Sequence, residues 1–286
     1  MEYKTITELI KLAVKKKTKI GDIVLSVEAE QEGESTDTIR GQMVVSWQVM
    51  QQAILRGITE DIKSVSGLSG GDGKRFSQAS PKFLSDPIAN AAAKALGVAE
   101  VNASMGKIVA CPTAGSCGIV PAALTLAKEK LNSSDEEIII ALFTAAGIGI
   151  VCSINASISG AEGGCQAECG VAAAMAAGAL TELAGGTPQM VGHAVALCLS
   201  NMLGLVCDPV AGLVEVPCVI RNAGALMQAL LAADMALAGI ESRIPADEVI
   251  EAMREVGDAL PESLRETAKG GLANTPTGKK FRHKLS

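Results

Sequence analysis

The chain has 286 residues, 48% of them apolar and only 2% aromatic, and carries a net charge of −6. A core without rings must be built from Ala, Leu, Ile, Val, Met and Gly, whose small side chains let helices pack closely; a β-sandwich would want aromatic and β-branched strands. The acidic balance argues against nucleic acid as a partner, and the two basic clusters, Lys15–Lys17 with Lys19 and Lys279–Lys284, read as solvated ends.

In chain order, residues 5–17 and 21–31 are predicted as short helices. A long amphipathic helix over 36–57 follows, with Ser35 or Thr36 as N-cap and Gly57 as its stop. Residues 64–87, SVSGLSGGDGKRFSQASPKFLSDP, are too rich in Gly and Ser for regular structure, and a loop of that length inside a compact domain points to function. Pro87 opens a helix to about Gly97, Pro121 another to about Leu131, and Ser133 or Ser134 before three acids caps a third. That third helix enters the longest uncharged run, Ile138–Ala161, which is long enough to span a bilayer. Its Ser, Asn and Gly residues and its missing aromatic belts instead favour a buried core helix followed by a loop, with no membrane partner. Thr187-Pro188 caps a helix to about Leu203, and Pro217 and Pro245 start two more. From about Lys269 the chain reads as a loose C-terminal tail, 269–286. No sustained period-two alternation occurs, so the expected fold is all-α: a single compact multi-helix domain over 1–286 with long Gly/Pro-rich functional loops. The N-terminus sets acid before its apolar residues and bases after them, unlike a signal peptide. A cytoplasmic setting follows, in which the eight cysteines are ligands, buried thiols or reactive thiols rather than disulfides.

Six of the eight cysteines fall in three loops, 102–121, 158–170 and 204–218. There is no CxxC, which argues against structural zinc and a thioredoxin-like redox pair, and no C-x2-C-x2-C run of the ferredoxin kind. What remains is a dispersed site. Cys165 ends the Gly-rich GAEGGC, Cys207 precedes Asp208-Pro209, and Cys218 follows Pro217. Glycine and proline keep the backbone non-helical there, so amides can face sulfur. Three thiolates without an obvious fourth suggest a metal or cluster with an open coordination position, a Lewis-acid arrangement. Ordinary buried cysteines are the alternative at each position, and the favoured one for Cys152 and Cys198 inside apolar helical runs. Cys165 and Cys169, four apart, share a helix face, so both or only one could bind a metal. Cys111 and Cys117 flank PTAGS, a turn suited to holding an anion through amides and hydroxyls.

The remaining constellations are weaker. The only histidines are His193 and His283, and no GxSxG elbow supports a serine triad. GIG at 147–149 lacks the strand and third glycine of a dinucleotide fingerprint, and GGDGK at 70–74 lacks the Ser or Thr of a phosphate-binding loop. Lys74 is left with three roles: meeting a substrate carboxylate, forming a Schiff base with pyridoxal phosphate, or simply standing exposed in a loop.

Three segments, NASMGKIVACPTAGSCGIVPAAL, ISGAEGGCQAECGVAAAMAAGAL and LGLVCDPVAGLVEVPCVIRNA, resemble hallmark segments of the bacterial iron–sulfur-dependent L-serine dehydratases. The length and N-terminus resemble the separate α chain of the two-chain form, and the likeness covers essentially the whole chain. The resemblance implies a [4Fe–4S] cluster held by three cysteines, with one iron free for substrate. By position these are Cys165, Cys207 and Cys218, spaced C-x41-C-x10-C; Cys169 is outside the pattern. It further implies a β-chain partner, a small amino-acid substrate, and conversion of L-serine to pyruvate and ammonia. Thr113, Gly115, Ser116 and Gly118 are then candidates for seating the substrate carboxylate, with Lys74 and Asn102 behind them. SNMLGL (200–205) stands where single-chain members have the His-containing EHNLGL, so the catalytic base is unassigned in this chain and a β-chain histidine is the expectation. The competing readings are a pyridoxal-phosphate-dependent amino-acid lyase using Lys74 and a non-catalytic membrane or scaffold protein spanning at 138–161.

Overall fold

The structure, a computed structural model, describes residues 2–285. Helices account for nearly all the regular structure, and the described residues contain no strand, only one isolated bridge between Cys207 and Arg265. Local signals set many of the starts. α1 (Ile6–Lys16) begins at Thr5, whose hydroxyl accepts from the Glu8 amide while Glu8 accepts from the Thr5 amide. α7 (Asp135–Asn155) opens with the same reciprocal box between Ser134 and Glu137. α10 (Pro188–Ser200) starts with Thr187 as cap and Pro188 at its first position, where a missing N–H costs nothing. Pro217 and Pro245 directly precede α11 (Cys218–Leu237) and α12 (Ala246–Ala259).

Three helix starts, that of α1 again among them, are held by acids from distant elements. Asp247 of α12 accepts from the amides of Ile6 and Thr7, at 2.7 and 3.1 Å. Glu182, on α9 (Val171–Leu183), accepts from Ile20 and Gly21 at the head of α2 (Ile20–Glu32), at 2.6 and 3.2 Å, and from the Thr144 hydroxyl. Glu100, on α5 (Asp86–Ala103), accepts from Asp72 and Gly73 at the head of α4 (Asp72–Ser77), at 2.7 and 3.1 Å. Each sets carboxyl oxygens at the positive end of a helix dipole and satisfies orphan amides.

The core centres on α9, buried from Val171 to Glu182, with α6 (Ile119–Leu131), α7, α10 and α11 packed around it. A helix apolar on every side can only be internal. α7 is long and apolar enough to cross a membrane, with a mean hydropathy of 2.2 over its most apolar 18 residues, but 67% of that stretch is buried within the fold. It is a core helix, as its sequence predicts.

The structure corrects several expectations. Gly57 and Gly97 do not stop helices: α3 runs Thr36–Thr59 and α5 runs on to Ala103. The two glycines are the crossing point of those helices, because a Cβ on Gly57 would lie 2.3 Å from the Gly97 carbonyl carbon. The expected loop 64–87 contains α4, and α10 ends at Ser200 rather than near Leu203. The 269–286 segment is not a loose tail over its described part. It forms a 3-10 turn, Gly271–Asn274, and α13 (Pro276–Leu285), with the Thr275 hydroxyl accepting from the Gly278 amide. Ser286 lies outside the described residues.

Candidate metal centre

Cys165 sits between two short helical pieces. α8 (Gly160–Gly163) ends at Gly164, whose φ of +75° suits glycine and whose Cβ would meet the Leu205 carbonyl at 2.9 Å. After it comes a π turn, Gln166–Gly170, closed by the Val171 amide on the Gln166 carbonyl. The buried Gln166 clamps this stretch: its backbone amide donates to the Leu205 carbonyl, its side chain donates to the Met253 carbonyl, and it accepts from the Gly204 amide. Such turns recur at functional sites.

Cys207 is held on both sides by the segment 264–266, its amide donating to Leu264 and its carbonyl accepting from Glu266. The next residue, Asp208, is buried and accepts from Arg221 Nη2 at 2.8 Å and from the Leu272 amide at 2.7 Å. Arg221 also donates to the Val206 carbonyl at 2.8 Å. The C-terminal segment thus packs against the cysteine loop, so closely that a Cβ on Gly271 would lie 2.2 Å from Asp208 Oδ2. Cys218 begins α11, and one turn on the buried Asn222 binds its carbonyl at 2.9 Å. Asn222 also donates to the Gly115 carbonyl and accepts from the Gly118 amide, tying the Cys218 turn to PTAGS.

These frames bring Cys165, Cys207 and a partly buried acid, Glu168, together, with their ligand atoms all within 4.8 Å of one another. Cys169 Sγ lies 3.7 Å from Cys165 Sγ. Glu168 Oε2 lies 3.9 Å from Cys207 Sγ, and Glu168 Oε1 accepts from the Thr113 hydroxyl at 2.8 Å. The pocket has a glycine cradle: a Cβ on Gly160 would stand 2.6 Å from Glu168 Oε2 and 3.0 Å from Cys207 Sγ.

The electrostatics are those of crowded sulfurs. Contact with the Cys169 and Cys207 sulfurs holds the Cys165 thiol well below the ordinary range, and the Arg221 charge adds to this. Burial pushes the Cys218 thiol up to about 12, with the negative charges of Cys165 and Glu168 as the next causes; the Cys218 turn is tied through Asn222 to PTAGS, whose Thr113 bonds Glu168. Burial first, then the Cys165 charge, raises the Glu168 carboxyl to about 7. Soft sulfur donors converging on a small space, one oxygen donor and a glycine wall fit a thiolate-bound metal centre.

The other candidates divide. Thr113 touches the pocket through Glu168, and Gly115 lies beside it, since its Cβ would stand 3.4 Å from Glu168 Oε1 and 3.3 Å from Val214 Cγ1. Ser116 is buried within its own turn, bonding the Cys111 carbonyl, while the Gly118 amide is taken by Asn222. Lys74, on α4, pairs with Asp61 at 2.7 Å, and Asn102 stands in the last turn of α5, its carbonyl accepting from the Met105 amide. Cys152 and Cys198 are wholly buried on α7 and α10. Sequence reasoning gave no role to Glu168, Arg221, Asn222 or Glu215. The last is buried three residues before Cys218 and accepts from Ser66 and Ser69 of the serine-rich loop, at 2.8 and 3.1 Å. Charged or polar residues in otherwise apolar, glycine-rich segments were the signal available for them.

The family described as the serine dehydratase alpha chain matches residues 15–273. The "Probable L-serine dehydratase, alpha chain" of Bacillus subtilis (strain 168) is 51% identical over 99% of this chain and 95% of its own. The "L-serine dehydratase, alpha chain" of Peptoniphilus asaccharolyticus is 45% identical over 97% of this chain and 96% of its own. "L-serine dehydratase 1" of Escherichia coli (strain K12) is 44% identical over 79% of this chain, a match that covers 52% of that longer protein. The chain belongs to the serine dehydratase alpha-chain family.

Proposed function

We propose that this chain is the catalytic α subunit of an L-serine dehydratase that works with a β chain in the cytoplasm. The observation that carries the reading is the meeting of Cys165 and Cys207, separated by 41 residues in sequence, in one pocket to which the Cys218 turn is tied through Asn222 and the PTAGS turn. Relatives of matching length bear that activity in their names. All eight cysteines are free, as suits a reducing compartment.

Cys165, Cys207 and Cys218 would hold a [4Fe–4S] cluster. Bound there, the cluster supplies a Lewis acid at its one iron without a cysteine, weakening the C–O bond of the substrate hydroxyl. This chain's own residues do the rest of the positioning. Arg221 and Asp208 fix the backbone on either side of Cys207, and Asn222 fixes the carbonyl of Cys218 to the PTAGS turn. Thr113, oriented by Glu168, and Gly115, which leaves open the space a side chain would fill, form the edge where a small amino acid can sit. Ser116 and Gly118 support that edge from beneath, because their polar groups are already engaged. A base from the β chain, a histidine, takes the α-proton and gives it to the departing hydroxyl, so that the C–O bond breaks and water leaves. The aminoacrylate that results tautomerises and hydrolyses to pyruvate and ammonia.

The test is the chain co-produced anaerobically with its β partner and assayed for iron, sulfide and pyruvate formation from L-serine. Expected is brown protein, active on L-serine and bleached by air with loss of activity. Activity without iron, together with a pyridoxal phosphate absorption band, would overturn the reading.

A further inference from the structure

The mechanism leaves Cys169 without work, although it lies in the same pocket. Its sulfur is 3.7 Å from that of Cys165, and both residues are 1% exposed. The backbone between them accounts for the contact. Residues 166–170 form a π turn with an i to i+5 bond, which holds more residues per turn than an α-helix, so positions four apart stand nearly over one another. Cys207, the other sulfur beside Cys165, instead faces Glu168. Residues that join in a disulfide have their Cα atoms roughly 4.4–6.8 Å apart, and one helical turn falls in that range.

We infer that Cys169 is a resolving thiol for Cys165: when the metal is absent and a peroxide is present, the two close into a disulfide that protects Cys165 from irreversible oxidation. The Cys165 sulfur attacks one peroxide oxygen, the O–O bond breaks, and Cys165 becomes a sulfenic acid with release of water. The Cys169 sulfur then displaces that oxygen, the S–O bond breaks as the S–S bond forms, and the thiol proton leaves with the hydroxide as a second water. The peroxide is reduced, and two thiols are oxidised by two electrons in total. Without Cys169, a sulfenic acid at Cys165 continues to the sulfinic state, from which a thiol reductant does not rescue it. The protective consequence rests on the reading of Cys165 as a metal ligand, whereas the bond itself does not.

The sequence provides its own assay, because Glu168 stands between the two cysteines. The full-length chain is stripped of iron anaerobically, treated with hydrogen peroxide, blocked with N-ethylmaleimide and cut after glutamate without reduction. Expected is GGCQAE joined to CGVAAAMAAGALTE, separated by dithiothreitol, after which iron and sulfide restore the cluster. In Cys169→Ser the expected product is Cys165 sulfinic acid and a chain that no longer takes up iron after reduction, although the unoxidised variant loads iron as fully as the wild type. Cys165 found joined to the Cys207 or Cys218 peptide, or Cys169 tagged while Cys165 is overoxidised in the wild type, would overturn the inference. So would failure of unoxidised Cys169→Ser to load iron where the wild type loads it, since Cys169 would then be a ligand. A wild-type chain that never loads iron would instead count against the metal reading, with the peptide pair still reporting on the bond.

Discussion

At the crossing of α3 and α5, Gly97 lies against Gly57 so closely that a Cβ on Gly97 would come within 2.7 Å of the Gly57 carbonyl carbon. In the cysteine pocket, a Cβ on Gly160 would come equally close to its surroundings, but these are the Glu168 carboxylate and the Cys207 sulfur. One glycine makes room for backbone and the other for side chains that carry chemistry. Backbone in a packed crossing cannot yield without moving a helix, whereas side-chain ends can shift at the expense of the site. The difference separates the part of the chain that holds the fold from the part that lines the proposed metal pocket, and substitutions can test that division.

The largest effect is expected where the two parts are joined. Arg221→Met leaves the buried Asp208 carboxylate without its cation, which costs about 3–5 kcal/mol. Both the thermal midpoint and the iron content should fall, and an unchanged midpoint would show that the pair does not brace the Cys207 loop. Gly97→Ala should cost about 1–3 kcal/mol by overpacking, read as a lower denaturation midpoint, with iron per folded chain unchanged. Gly160→Ala should do the reverse: a midpoint close to wild type in the metal-free chain, and metal affinity weakened by roughly 10-fold or more in a chelator competition. If both alanines acted only on stability, the division would fail.

The smallest effect concerns pH and belongs to the fold alone. Glu182, buried where it caps α2, has its carboxyl raised above the ordinary value of 4.5, chiefly by burial. Folding therefore favours its protonated form. That contribution is fully present below 4.5 and is lost as pH rises through the folded value. Glu182→Gln cannot titrate, so the midpoint of the wild type relative to this variant should decline as pH is raised from 4.5. A constant difference would mean that Glu182 has the same proton affinity folded and unfolded.

The helix starts were legible because they rest on local chemistry, such as the Ser134–Glu137 box and Thr187-Pro188. The stops at Gly57 and Gly97 were misread because glycine marks both a helix end and a close crossing, and only tertiary structure tells them apart. α9 offered neither a cap nor a polar face, so nothing local marked the helix at the centre of the core. The order in 271–285 depends on packing against the Cys207 loop, through Leu272 and Asp208, which lie far apart in sequence. Glycine and proline beside Cys165 and Cys207 singled out two loops that the fold does bring together. Glu168 could not be singled out in the same way, because its place is set by Thr113, 55 residues away.

The central claim is that Cys165, Cys207 and Cys218 together hold an iron–sulfur cluster. Iron and acid-labile sulfide should be measured in anaerobically purified single Cys→Ser variants, each co-produced with the β partner. The account predicts that serine at 165, 207 or 218 abolishes both iron and sulfide, while serine at 152 or 198 leaves them at the wild-type level. Full iron and sulfide in a chain lacking the Cys207 or Cys218 sulfur would contradict it.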